Sequence, residues 1–215
     1  MDYENKPDGY YNNARNEMLD FLPKTAKKVL DVGCGNGIFA DIIKKINGAE
    51  VWGIELMEQE ALKAKDIVYK LFVGPCEDHI DTLPDNYFDV IYFNDVLEHL
   101  VDPYMVLTNI KKKLSPGGVV ISSIPNIRYH NVFMKLVFKK KFEYESFGVL
   151  DKTHLRFFTK SSIRNMYTNL GYEIVMHKGI NGSKSLKPIL YNIPMFFTAM
   201  DIKYPQYATV ARVKK

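Results

Sequence analysis

The feature that most constrains the fold is a run of three glycines at alternate positions, in VLDVGCGNGIF from Val29 to Phe39. An apolar stretch with one acid precedes these glycines, and a pattern of helical period follows them. Glycine has no Cβ, so such a turn can take left-handed conformations and let a ligand approach the backbone closely. We therefore expect Gly33, Gly35 and Gly37 to join a buried strand to a helix and to contact a ligand.

Apolar runs typical of buried strands alternate with helical patterns over residues 28–126. Strands interleaved with helices pair in parallel through right-handed crossovers, which predicts a doubly wound α/β sheet. Two further strand patterns, YEIVMHKGI and YATVARVKK, lie near the end of the sequence without a strong helix signal between them. The prediction is a seven-stranded, mostly parallel, Rossmann-like sheet with an antiparallel edge strand at the C-terminus.

The chain has 215 residues, of which 47% are hydrophobic and 25% charged, so we predict one domain over residues 1–215. Apolar residues at helical spacing predict an N-terminal helix over residues 11–22 that ends at Pro23 and caps the bound cofactor. Residues 126–158 and 181–205 lie outside the repeating pattern. Long loops in compact domains are usually functional, so we predict that both shape the binding site of the substrate, the acceptor of the reaction.

Composition narrows the class of protein. The polar N-terminal sequence MDYENKPDGYYNN does not resemble a secretory signal, and no apolar stretch reaches the roughly 20 residues of a membrane-spanning helix. The two cysteines have no metal-ligand spacing, so we predict free thiols and no metal site. A net charge of +4 does not argue for nucleic acid. We expect a cytoplasmic protein without a transmembrane segment, whose oligomeric state the sequence leaves open.

Two cofactor classes use a glycine loop of this kind, the dinucleotides and S-adenosylmethionine. The dinucleotide pattern G-x-G-x-x-G requires a glycine where this chain has Ile38. Asp31 would repel a pyrophosphate, whereas it would attract the ammonium and sulfonium groups of S-adenosylmethionine. Glu55 ends the second strand, where an acid can accept hydrogen bonds from the ribose hydroxyls of either cofactor. The glycine spacing and Asp31 favour S-adenosylmethionine.

Four segments, VLDVGCGNG, VWGIE, FDVIYFNDVLEHL and LSPGGVVISSIPN, resemble in order and spacing the motifs of class I S-adenosylmethionine-dependent methyltransferases. The later segment GVLDKTHLRFFTKSSIRNMYTNLGY resembles a subgroup associated with sugar and cell-surface polysaccharide methylation. The resemblance implies the Rossmann-like methyltransferase fold and S-adenosylmethionine as cofactor. It also implies O-methylation of a small-molecule or carbohydrate acceptor, such as a sugar or glycan intermediate.

The resemblance also assigns residues to parts of the cofactor. The glycine loop, Asp31 and the end of the fourth strand would lie against the methionine portion, and the end of the second strand against ribose and adenine. Pro75 stands where many members of the family carry an acid, so the contact to adenine would fall to the Cys76 backbone and to Glu77 or Asp78. The full set assigned to the cofactor is Asp31, Gly33, Gly35, Gly37, Glu55, Leu56, Cys76, Glu77, Asn94 and Asp95.

His154 is the candidate catalytic residue, because its loop DKTHLRFFT should reach the carboxyl edge of the sheet. Methyl transfer needs alignment above all, and a base only where a hydroxyl must lose its proton. The ordinary histidine pKa of ~6.5 suits that task. We predict that His154 acts as the base with Asp151 orienting it; alternatively, His154 and Arg156 only fasten the loop to the body of the protein. The predicted acceptor-binding residues are Tyr11, Asn126, His154 and Arg156.

The segment RYHNVFMKLVFKKKFEY carries cations among apolar residues. It predicts either a lid helix with solvated lysines or a face attracted to phosphate, which leaves peripheral membrane contact open. Three other functions stay as alternatives. They are methylation of a quinone or aromatic small molecule, a non-catalytic S-adenosylmethionine-binding scaffold, and a nucleic-acid methyltransferase; IPNIRY is not the N/D-P-P-Y/F motif, which disfavours the third.

Overall fold

The computed structural model describes residues 14–214, which form a single seven-stranded sheet with helices around it. The strands are β1 Lys28–Val32, β2 Glu50–Glu55, β3 Lys70–Val73, β4 Phe88–Asn94, β5 Leu114–Pro125, β6 Tyr172–Ile180 and β7 Gln206–Val213. The helices are α1 Asn16–Leu19, α2 Ile38–Asn47, α3 Glu58–Ala64, α4 Cys76–His79, α5 Pro103–Ile110, α6 His130–Val137, α7 Lys160–Asn169 and α8 Lys187–Asn192.

The strand order is β3-β2-β1-β4-β5-β7-β6, with parallel pairing from β3 to β5. Strand β7 pairs antiparallel with both β5 and β6, so the predicted α/β fold with an antiparallel C-terminal strand is confirmed. One detail differs from the prediction, because β7 lies between β5 and β6 and the edge strand is β6. The long connection 181–205 carries the chain back past β6, which lets the last strand fill the gap.

The core lies on both faces of the sheet, because successive residues of a strand point to opposite sides. In β1, Leu30 belongs to the apolar cluster that includes side chains of α5 and α7. Val29 belongs to the cluster on the other face, which includes side chains of α2. This two-sided burial is what a parallel sheet with helical crossovers requires. It holds the carboxyl ends of β1, β2 and β4 in fixed relative positions.

Helix ends follow the local sequence. The Asp102 side chain accepts hydrogen bonds from the amides of Tyr104 and Met105, both at 3.0 Å, with Pro103 in the first turn of α5. Thr159 and Ser162 form a capping box at the start of α7. Helix α2 begins after Gly37 and ends at Gly48, both in the left-handed conformation.

The predicted helix over residues 11–22 is wrong within the described residues. Only Asn16–Leu19 are helical, because Arg15 has a φ of 45° and a right-handed helix cannot continue through that conformation. No helix in the described range 14–214 is long and apolar enough to cross a membrane.

Candidate active site

A cavity of about 760 Å³ opens at the carboxyl edge of the parallel strands. Its wall includes the glycine loop, the ends of β2 and β4, and segments 147–154 and 205–206. Its volume lies within the range usual for small-molecule sites, and the position is where open α/β sheets bind their ligands. The cavity is therefore the candidate active site.

The glycine loop takes the conformation that its composition predicts. Gly33, Gly35 and Gly37 have φ angles of 75°, 54° and 83°, in the left-handed region that other residues rarely adopt. A Cβ on Gly33 would lie 2.6 Å from Val96 Cγ2. Gly37 faces α3, where a Cβ would lie 3.1 Å from Ala64 Cβ. Gly33 and Gly35 line the cavity, and Gly37 instead permits close packing of α2 on α3.

Glu55 is buried at the end of β2 and fastens the loop to this strand. Its Oε2 accepts a hydrogen bond from the Gly35 amide at 2.7 Å, and its Oε1 accepts one from the Met57 amide at 2.8 Å. Each carboxylate oxygen has capacity for a second donor, so these bonds are compatible with a ribose diol. Burial raises the pKa of Glu55, against the opposing effect of the two amide donors.

Asp31 lies on β1 next to this carboxylate and is 2% exposed. Burial raises the pKa of Asp31 to about 8, and the nearby charge of Glu55 adds to the shift. A carboxyl group with this pKa is partly protonated at neutral pH, and a cationic ligand would favour its ionised form. The site therefore couples the binding of positive charge to the loss of a proton.

The remaining residues predicted to bind the cofactor line the same cavity. These residues are Leu56, Cys76, Glu77, Asn94 and Asp95. Asn94 is the most informative of them, because its buried Oδ1 has no hydrogen-bond partner among the described residues. Burial raises the pKa of the Cys76 thiol, so this cysteine behaves as an uncharged wall residue.

Asp95 is held in a polar network that the sequence analysis missed. Arg15 Nη1 lies 2.5 Å from Asp95 Oδ2, and the side chains of Ser123 and Gln206 donate to Asp95 Oδ1 at 3.0 and 2.9 Å. Arg15 also donates to Ser123 Oγ at 2.7 Å. These partners come from the N-terminal segment, β5 and β7, so sequence spacing carries no signal for their meeting.

His154 lies where the prediction puts it, buried in the cavity wall. Its Nδ1 is 3.1 Å from the Val149 carbonyl oxygen, and its Nε2 is 3.9 Å from Glu98 Oε1. The Asp151 carboxylate, which also lines the cavity, accepts hydrogen bonds from the Thr153 amide and hydroxyl at 2.9 and 2.7 Å. A backbone carbonyl thus holds the His154 Nδ1, and Asp151 shapes the loop that carries the ring.

Glu98 is the second functional candidate that the sequence analysis missed. It is 1% exposed, lines the cavity, and neither carboxylate oxygen has a hydrogen-bond partner among the described residues. Burial raises the pKa of Glu98 well above its ordinary value, with Asp95 adding to the shift. The sequence does contain a signal for Glu98, which follows apolar residues in the segment DVLEHL. A glutamate that is buried with such neighbours needs either a partner or a ligand for its carboxylate.

His99 completes a cluster with Glu98 and His154. The two imidazole centroids are 4.7 Å apart, and one ligand atom from each of the three residues lies within 4.8 Å of the others. Burial lowers the pKa of His99 to about 4, with the neighbouring His154 contributing. His99 is therefore neutral at physiological pH, and its Nδ1 lies 3.0 Å from the Thr153 carbonyl oxygen.

Two of the predicted acceptor residues, Asn126 and Arg156, do not line the cavity. Asn126 is fully buried, and its Nδ2 donates to the carbonyl oxygens of Asp201 and Tyr204 at 3.0 and 2.9 Å. Arg156 is exposed and donates to the Val101 carbonyl. Both side chains thus fasten loops, and neither lines the cavity. Tyr11 lies outside the described residues.

The residues present fit S-adenosylmethionine by charge and by shape. Buried acids stand beside the glycine loop where ammonium and sulfonium groups would lie, and the Asn94 oxygen lacks a donor. The space that a Gly33 Cβ would need is filled by Val96, so the loop can only present bare backbone. A pyrophosphate in the same place would face two carboxyl groups, which disfavours a dinucleotide.

Comparison with known proteins agrees with this geometry. A family model described as a methyltransferase domain matches residues 6–177. The ubiquinone biosynthesis O-methyltransferase of Vibrio atlanticus is 36% identical over 121 residues, which cover 54% of this chain and 50% of that protein. The enzyme of the same name from Thiobacillus denitrificans is 38% identical over 133 residues, covering 57% and 55%. The matches thus span about half the length of these relatives.

Solved structures share the fold at low sequence identity. A methyltransferase from Archaeoglobus fulgidus has a TM-score of 0.71 at 17% identity, covering 94% of this chain and 93% of that one. One from Mesorhizobium loti has a TM-score of 0.63 at 18% identity, covering 93% and 98%. With the family match over most of the sequence, the chain belongs to the class I S-adenosylmethionine-dependent methyltransferases.

Proposed function

We propose that this methyltransferase transfers a methyl group to a hydroxyl oxygen of an aromatic small molecule of the phenol or hydroquinone type. The observation that carries the proposal is the buried pair Glu98 and His154 in the cavity wall. When bound, S-adenosylmethionine supplies an electrophilic methyl carbon whose bond to sulfur breaks as the bond to the acceptor oxygen forms. The chain must align the acceptor and take up its proton.

His154 is suited to accept that proton at a defined atom. The Val149 carbonyl oxygen beside Nδ1 is only an acceptor, so Nδ1 carries the hydrogen of the neutral ring. Nε2 is then the basic atom, and it is the ring nitrogen nearer to Glu98. An acceptor hydroxyl that donates to Nε2 would lose its proton there as the new carbon–oxygen bond forms.

Glu98 would stabilise the ring once it carries the proton. A buried carboxylate 3.9 Å from Nε2 favours the imidazolium, whereas the raised pKa of Glu98 shows that burial opposes its charge before that step. His99 remains neutral and limits the positive charge in the cluster. Glu98 and His154 thus act as a pair, in which the protonated, positively charged His154 favours the ionised form of Glu98.

The walls around this pair favour a flat apolar acceptor over a sugar. The cavity wall as a whole is mostly apolar and offers few side-chain donors for the hydroxyls of a sugar ring; its apolar members include Val96, Leu100, Val101, Pro125, Phe147 and Val149. The relatives are named for ubiquinone biosynthesis, which supports an aromatic hydroxyl as the acceptor. The expected sugar or polysaccharide acceptor has no such support.

The test is an acceptor screen with purified protein, in which S-adenosylhomocysteine formation is measured. Catechols, hydroquinones and simple phenols form one arm, and nucleotide-linked sugars form the other. We expect turnover only in the aromatic arm. Turnover on sugars alone would restore the carbohydrate acceptor, and cofactor binding without turnover in either arm would favour the scaffold role.

The role of His154 is tested on the acceptor that the screen identifies. His154→Ala should reduce kcat by roughly 100-fold or more, the usual contribution of a general base, while the cofactor Kd stays within about twofold. The matched control is His177→Ala, because His177 lies on β6 and contacts Thr209 and Tyr207 outside the cavity. Equal losses of kcat in both variants would mean that His154 is structural.

A further inference from the structure

We propose that α8 and the turn after it, residues 184–197, dock on an anionic membrane surface. The segment contributes a helix whose apolar side faces outward. Leu186, Ile189, Leu190 and Ile193 follow the i, i+3, i+4, i+7 spacing of one helix face, and all four are exposed by 42% to 69%. A helix that packs on its own domain normally buries this stripe. Here the buried positions are Pro188 and Asn192.

Hydrogen bonds on the buried side of α8 accompany this orientation, in which the apolar side of the helix faces outward. Asn192 Nδ2 donates to the Pro188 and Ala199 carbonyls at 2.8 and 3.2 Å, and its Oδ1 accepts from the Ala199 amide at 3.0 Å. The first bond lies within α8, and the other two join α8 to the buried Ala199 after the turn. Rotating the apolar stripe inward would separate this buried amide from its two Ala199 partners, so the outward face is the favoured arrangement.

The turn after α8 holds two aromatic side chains outward. Phe196 and Phe197 have φ angles of 50° and 58°, in the left-handed region, and they are 86% and 55% exposed. Two consecutive non-glycine residues in this region are unfavourable, and such a conformation persists only where the surrounding structure enforces it. The Phe197 amide donates to the Asn192 carbonyl at 3.0 Å and keeps the turn closed. The turn therefore holds both aromatic rings in exposed positions.

Charge complementarity identifies the occupant as an anionic lipid surface. Residues 181–200 contain Lys184 and Lys187 and no acid. Helix α6 also contains no acid. The two helices are neighbours, since the His130 ring of α6 lies 6.4 Å from that of Tyr191 of α8. Apolar side chains that enter the acyl boundary, with lysines at headgroup level, are how interfacial helices bind.

The experiment measures co-sedimentation of the full chain with vesicles. One set contains phosphatidylcholine alone, and the other contains about one third phosphatidylglycerol, which supplies the negative surface. We expect binding to the anionic vesicles that weakens with added salt. Leu190→Ser with Phe196→Ser should lower this binding at least about tenfold, because two apolar side chains leave the interface. Lys184→Glu with Lys187→Glu should have a similar effect by reversing the local charge.

Matched controls separate this surface from general properties of the protein. Leu62→Ser with Tyr69→Ser removes one exposed leucine and one exposed aromatic side chain elsewhere, since these residues are 63% and 69% exposed. Lys24→Glu with Lys65→Glu makes the same change in net charge at other exposed positions. Both should bind vesicles as the wild type does, and all variants should bind S-adenosylhomocysteine with unchanged affinity, which verifies the fold.

Three results would overturn the proposal. The first is equal affinity for neutral and anionic vesicles, and the second is an equal loss in the control variants. The third is concentration-dependent dimerisation of the wild type that the Leu190 and Phe196 changes abolish, without vesicle binding. That result would assign the face to a second copy of the chain. The readout does not involve methyl transfer, so it stands or falls independently of the acceptor proposed above.

Discussion

The cofactor half and the acceptor half of the cavity are built by different means. The half predicted to bind the cofactor consists of the turns that follow neighbouring parallel strands, and backbone atoms such as the Gly35 amide, which donates to Glu55, hold it together. The acceptor half consists of side chains from segments far apart in the chain, such as Glu98 and His154. A backbone site is specified by local conformation, whereas a side-chain site is specified by tertiary packing. The first is therefore recognisable from a short motif, and the second is not.

The largest expected effect tests the backbone character of the cofactor half. Gly33→Ala should weaken S-adenosylhomocysteine binding by roughly 100-fold, because a Cβ in the left-handed region is strained and would meet Val96 at 2.6 Å. Gly48→Ala is the matched control, since Gly48 has a φ of 58° but no atom near the added Cβ. Titration calorimetry on both variants separates strain from contact. Equal losses of affinity would mean that the loop does not depend on close packing.

The next effect concerns charge in the same half. Asp31→Asn should weaken S-adenosylmethionine binding by roughly tenfold, the usual value of one charge-assisted contact. In the wild type, affinity should rise with pH until about pH 8, because protonated Asp31 must lose its proton to face a cation. The variant should lose that dependence. Asp66→Asn, at an exposed position, is the control and should keep it.

The same group makes a prediction for stability. Burial raises the folded-state pKa of Asp31 from 3.8 to about 8, so the folded protein binds this proton more tightly than the unfolded chain does. The Asp31 contribution to stability is then complete below pH 3.8 and is lost as pH rises through about 8. Thermal unfolding of the unliganded protein should show that Asp31→Asn reduces this loss. An unchanged pH profile would contradict the buried, protonated state.

Asn126 tests whether the acceptor half contains fastening residues that do not touch ligands. Asn126→Ala should lower the free energy of unfolding by about 1–3 kcal/mol, because it leaves the buried Asp201 and Tyr204 carbonyls without their donor. Cofactor affinity should change less than twofold. Asn165→Ala on the exposed side of α7 is the control for urea unfolding. A loss of acceptor affinity without a loss of stability would restore Asn126 as a binding residue.

The smallest expected effect lies where the two halves meet. Arg15→Gln removes the guanidinium that neutralises Asp95, so the site becomes more negative. Cationic S-adenosylmethionine should then bind two- to fivefold more tightly relative to uncharged-sulfur S-adenosylhomocysteine, since partly exposed ion pairs contribute little. Arg15→Lys keeps the charge and should leave the ratio of the two dissociation constants unchanged. Equal ratios in both variants would show that Arg15 does not tune the charge of the cavity.

The sequence alone predicted the mostly parallel α/β sheet, the glycine turn and S-adenosylmethionine as the cofactor. These features follow from periodicity, from the missing Cβ of Gly33 and from the place of Asp31 and Glu55 at strand ends. Only the tertiary structure shows that Arg15, Ser123 and Gln206 surround Asp95. It also shows that Glu98 faces His154 and that Asn126 donates to backbone carbonyls outside the cavity wall. Those contacts join segments as far apart as 111 residues, and packing of the whole sheet fixes them, because no local periodicity can specify which distant side chains meet.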